Sequence, residues 1–171
     1  MEDKKKNIEQ GYELHKKGKV HEAIKLYLKA VPDFANNSNL FFLLGTANLQ
    51  INNFEVSVDY LKKASLLDPN NIGIYNNLGG ALQNLKKYEE SIAVFKKLLS
   101  LNPKFAEAYN NIGNCYFLLN NYEEAIKNFK ISIELNPKNF VAYLNIGNVN
   151  KNLKFFEKAI TNYKKSIELN Y

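Results

Sequence analysis

A glycine returns at one interval along the whole chain: Gly11, Gly45, Gly79, Gly113 and Gly147 are each 34 residues apart. An aromatic residue stands four places before each of the last four, at Phe41, Tyr75, Tyr109 and Tyr143. Proline closes three of the intervals, at Pro69, Pro103 and Pro137. A period of this length marks a repeated supersecondary unit that cannot bury its apolar face alone. Stacking neighbours buries that face, so the period dictates an array in which each unit contacts only the next. Within each period apolar residues recur at three- and four-residue spacing in two runs, which reads as two amphipathic helices. The predicted fold is all-α, a single α-solenoid domain of five helix-turn-helix units and about ten antiparallel helices. The units span about 4–37, 38–71, 72–105, 106–139 and 140–171.

In the first unit Gly11 and Leu14 fall on one helix, Ala23, Tyr27 and Ala30 on the next, and Gly18 separates them. Asn7 and Gln10 stand where later units carry an aromatic and a Leu or Ile, so this unit presents the polar outer face of a terminal repeat. In the second, Asn52-Asn53 makes the turn and Asp68-Pro69-Asn70-Asn71 the stop, because proline cannot continue a helix and asparagine can cap the next one. Tyr88-Glu89-Glu90 and Tyr122-Glu123-Glu124 open second helices, where paired acids suit the positive end of the helix dipole. Glu123 is spaced to pair with Lys127 one turn later. In the last unit Ile160, Tyr163 and Ile167 line up with no later helix to cover them. A longer parent protein, end-to-end self-association or a tolerated apolar end each accounts for this, and the first is the preferred expectation.

Composition narrows the function. All 23 basic residues are lysine and 27 residues are asparagine. Without arginine there is no guanidinium fork for bidentate clamping of carboxylate or phosphate. Lys62-Lys63, Lys96-Lys97, Lys130 and Lys164-Lys165 all fall on second helices, which predicts a solvated outer face and no nucleic-acid site. No apolar run approaches the roughly 20 residues that cross a bilayer, and the charged N-terminus lacks a secretory pattern, so a cytoplasmic location is the expectation. Cys115 takes a place held by Ala47, Ala81 and Val149 and reads as core. His15 and His21 lie among lysines, without metal-ligand spacing, and read as surface residues. Gly79-Gly80 is mid-helix and read as a packing feature. No catalytic residues, metal or cofactor are expected, and the chain is not read as an enzyme.

With these residues in place, the chain resembles the tetratricopeptide repeat (TPR) family over nearly its full length. Tyr109, Ile112, Gly113, Tyr116, Ala125, Phe129 and Pro137 meet the family pattern in the fourth unit. Tyr75, Leu78, Gly79, Leu82, Phe95 and Pro103 meet it in the third, where Ser91 replaces the usual alanine. The resemblance implies a right-handed superhelix whose concave groove, lined by first helices, takes an extended peptide. Groove positions then include Phe42, Asn76, Asn77, Gln83, Asn110, Asn111, Asn114, Phe117, Asn145 and Asn148. Asn77, Asn111 and Asn145 repeat at the 34-residue interval and are expected to form a ladder. Each amide offers a donor and an acceptor for a peptide backbone; bridging of neighbouring helices is the alternative use. The carboxylate clamp of TPR co-chaperones is not met, since its places hold Phe42, Gly73, Asn76 and Asn110. The ladder is instead similar to the repeat region of O-GlcNAc-transferase-like proteins. The expected function is a protein-interaction scaffold with a protein or peptide partner. The alternatives are the non-catalytic arm of a larger transferase and a self-assembling module that joins end to end through its last helix.

Overall fold

The computed structural model describes residues 2–170, all helix and turn. The chain divides into two compact units, Met1–Lys86 and Lys87–Tyr171, and the division falls in the turn of the third repeat. The first holds α1 (Glu2–Lys16), α2 (Val20–Ala30), a 3-10 turn (Val31–Asp33), α3 (Ser38–Gln50), α4 (Phe54–Leu67) and α5 (Ile72–Asn84). The second holds α6 (Tyr88–Leu101), α7 (Ala106–Leu118), α8 (Tyr122–Leu135), α9 (Phe140–Asn152) and α10 (Phe156–Leu169). This is the all-α helical-repeat architecture that the period requires.

Helix starts follow the capping residues. Asn37, Asn71 and Asn139 accept hydrogen bonds from Leu40, Gly73 and Ala142 N–H groups at the starts of α3, α5 and α9. Each satisfies one of the donors that a helix N-terminus leaves open. The turns inside the repeats share one geometry. Gly18, Asn52, Lys86, Asn120 and Lys154, again 34 residues apart, all have positive φ. The following N–H reaches back into the preceding helix, as in Asn53 to Asn48 O (2.9 Å) and Asn121 to Tyr116 O (2.8 Å). That bond satisfies a C-terminal carbonyl and sends the chain back antiparallel.

The recurring glycines set the distance between paired helices. A Cβ on Gly11 would lie 2.7 Å from the Tyr27 ring, and one on Gly45 would lie 2.5 Å from Leu61 Cγ. In the second unit Gly113 meets Phe129 at 2.7 Å and Gly147 meets Tyr163 at 2.5 Å. Gly80 differs from the expectation: a Cβ there would meet nothing within 4 Å, so packing does not account for it. Buried serines add cross-helix bonds. Ser57 donates to Gly45 O, and Ser132 and Ser166 donate to Ala106 O and Phe140 O, each at 2.8 Å. A small hydroxyl at Ser57 therefore keeps the close approach that alanine gives at Ala23, Ala125 and Ala159 and adds a bond.

Two further expectations change. Lys127 pairs with Glu124 at 3.3 Å rather than with Glu123, because the exposed three-residue spacing brings Glu124 to it first. His15 is half-buried, not a plain surface residue: its Nε2 lies 2.8 Å from Gln50 Oε1 and its Nδ1 3.4 Å from the Tyr27 hydroxyl. It thereby ties α1 to α2 and α3. Tyr27 itself is fully buried, and its hydroxyl is pushed up to about 12 by burial, with a smaller contribution from Tyr12. His21 is exposed.

Candidate binding face

Beyond the charged α1, the first helices of the repeats carry almost no charge. α3 and α5 contain none, α7 only Glu107 and α9 only Lys151. Their inner residues pack into the core, as with Leu40, Leu44 and Ile74 in the first unit and Ala108, Ile112 and Val149 in the second. The remaining positions form a half-exposed, amide-rich face. The outer lysines Lys62, Lys63, Lys96, Lys97, Lys130, Lys164 and Lys165 are all exposed on second helices.

In the first compact unit the face is built from α3 and α5. Asn77 is half-buried and its Nδ2 donates to Thr46 Oγ1 at 2.9 Å, bridging the two first helices. Asn76 is half-buried and its Oδ1 has no hydrogen-bond partner among the described residues. The half-buried Phe42 ring lies over the start of α5, with Cζ 3.6 Å from where a Gly73 Cβ would stand. Gln83 is half-buried at the end of α5.

In the second unit the face is built from α7 and α9. Asn110 is 9% exposed and accepts from Asn145 Nδ2 at 3.2 Å, again bridging adjacent first helices. Asn148 accepts from the Tyr163 hydroxyl at 3.0 Å, which holds its amide from the α10 side. Asn111 and Asn114 are half-buried. Phe117 is tilted against Tyr122 with ring centres 5.9 Å apart, at the turn into α8. Asn110 thus belongs to the support of the face rather than to its accessible part. Asn77 and Asn145 use one donor each on a neighbouring helix. Sequence spacing placed Tyr163 only in the apolar line-up of the last helix, whereas its hydroxyl orients Asn148 from a second helix fifteen residues on.

Cys115 is fully buried, with Sγ 3.6 Å from Ser91 Oγ. Among the described residues no three His, Cys, Asp or Glu side chains converge in a metal-binding group. Among the same residues no helix is long and apolar enough to cross a membrane.

Comparison with known proteins places this architecture. Solved structures of MamA match with a TM-score of 0.86 at 26% identity over 94% of both chains, and 0.88 at 25% identity over 97% of this chain and 91% of the other. YrrB, described as a TPR protein with an unusual peptide-binding site, matches at 0.80 with 21% identity over 95% of this chain and 84% of its own. No curated protein matches the chain in sequence. Family profiles match along the chain: a tetratricopeptide repeat at 106–139, a TPR repeat at 84–119, and a further tetratricopeptide repeat at 38–71 and again at 141–171. With matches over most of its length and helices bounded where the 34-residue period puts them, the chain belongs to the tetratricopeptide-repeat family.

Proposed function

We propose that this chain is a protein-interaction scaffold that holds an extended peptide or unstructured segment against the amide-rich face of its first helices. The observation that carries the reading is the state of two asparagines on α9. Asn145 is anchored through Nδ2 and leaves Oδ1 as an acceptor, while Asn148 is anchored through Oδ1 and leaves Nδ2 as a donor. An anchored amide loses little further freedom on binding, so its remaining group is preorganised for a partner. One acceptor and one donor a helical turn apart suit the alternating N–H and C=O groups of a peptide main chain. Lack of charge on the face favours recognition of backbone over recognition of an acidic or basic side chain. On α5 of the first unit, Asn77 is anchored in the same way through Nδ2 and leaves its Oδ1 as an acceptor. YrrB, of the same fold, has a peptide-binding site.

The test is a peptide array of unstructured segments probed with the intact chain, followed by titration of the best binders. Replacing Asn77, Asn111 and Asn145 by alanine weakens binding more than about tenfold if each contributes near 1 kcal/mol. Asn148→Ala does so separately. Unchanged affinity in both variants, with helicity intact, ends the reading.

A further inference from the structure

The last helix carries an apolar stripe with a specific partner geometry. Phe156, Ile160 and Ile167 on α10 are 59%, 47% and 58% exposed. One repeat earlier the same places are Tyr122, Ile126 and Ile133 on α8, which are partly buried against a cluster that includes Ala142, Ile146 and Val149 of α9. The fold itself therefore shows what this surface accepts: an apolar helix laid alongside it. With the half-buried Tyr163 the stripe runs 156, 160, 163, 167, the alternating four- and three-residue spacing of a helix-pairing seam.

A second copy adding head to tail would lay its α1 on this stripe. The places of Ala142, Ile146 and Val149 correspond, four repeats earlier, to Lys6, Gln10 and Glu13, all exposed. Covering the stripe with α1 would bury the Lys6 ammonium and the Glu13–Lys16 ion pair (3.3 Å), and taking those charges out of water is unfavourable. The stripe is complementary to itself. In an antiparallel pair, Phe156 of one copy meets Ile167 of the other, and Ile160 meets Tyr163. Glu157 and Lys164, both exposed, flank the stripe on one side seven residues apart. The same pairing sets Glu157 of each copy beside Lys164 of the other.

We propose that the chain forms a two-fold dimer through antiparallel pairing of α10 with α10 of a second copy. The interface is isologous and closes at two copies. A seam on one 14-residue helix lies at the small end of specific interfaces, so the association is weak and concentration-dependent.

Sedimentation velocity of the full chain across the micromolar range tests it. The expected result is a monomer–dimer shift with no larger species. Ile160→Asp with Ile167→Asp abolishes the shift while circular dichroism stays unchanged, since both side chains are exposed in the monomer. Glu157→Lys alone and Lys164→Glu alone each set two like-charge contacts in the dimer and weaken it roughly tenfold. The double variant carrying both reversals restores it. A mass constant at one copy throughout overturns the proposal, because the stripe is then covered by something other than a second α10. So does growth beyond two copies, which is the mark of head-to-tail addition. A dimer that the double reversal fails to restore overturns the antiparallel pairing.

Discussion

Gly113→Ala puts a methyl group where the fold leaves no room. The added Cβ would lie 2.7 Å from Cδ1 and Cε1 of Phe129 and 3.1 Å from Ala125 O. Carbon atoms in contact prefer about 3.5–4.0 Å, so the overlap approaches 1 Å. Phe129 is fully buried and packed among Ala125, Ala142, Ile146 and Val149, and the Ala125 oxygen is backbone, so neither neighbour can retreat cheaply. Overpacking of this kind costs about 1–3 kcal/mol. Alanine recovers up to about 1 kcal/mol of helix propensity, and the sub-3 Å approach to a buried ring puts the overpacking at the upper end, which leaves a net loss of up to about 2 kcal/mol. Gly80→Ala makes the opposite experiment in the same kind of helix. With nothing within 4 Å of the new Cβ, only the propensity gain remains, about 0.5–1 kcal/mol of stabilisation. Urea unfolding followed by circular dichroism reads both. The reasoning is refuted if Gly113→Ala is as stable as the parent, or if the two substitutions shift the midpoint in the same direction.

Two further outcomes are expected. Lys154 holds φ at +62°, where a Cβ is strained by about 1–2 kcal/mol and glycine is not, so Lys154→Gly raises stability by roughly 0.5–1 kcal/mol after its entropic cost; a lower urea midpoint would contradict this. Tyr27 is neutral and buried with its folded value raised from 10.0 to about 12, so its contribution is fully present below pH 10 and is lost as pH rises towards 12. Stability then falls by up to about 1.4 kcal/mol per pH unit in that window, and Tyr27→Phe removes this component of the slope. An identical slope in the variant would show that Tyr27 does not carry it.

The repeat period alone determined the all-α helical-repeat fold and the places where the first helices of the later repeats begin. It did so because a 34-residue recurrence of glycine, aromatic and proline constrains backbone geometry directly. α3, α5, α7 and α9 begin at Ser38, Ile72, Ala106 and Phe140, the first residues of the repeats. The polar character of the candidate face was legible for the same reason, since helical spacing tells which side a residue occupies. What each polar side chain does there was not. Asn77 joins Thr46, Asn145 joins Asn110, Asn148 is held by Tyr163, and Lys127 takes Glu124 instead of Glu123. An amide or an ammonium has several acceptable partners within one turn or on the next helix. The choice depends on distances of a few tenths of an ångström between packed helices, which no spacing rule specifies. Gly80 is the same lesson in reverse: it sits beside the repeat glycine in sequence, yet only the packed structure reveals the open space over it.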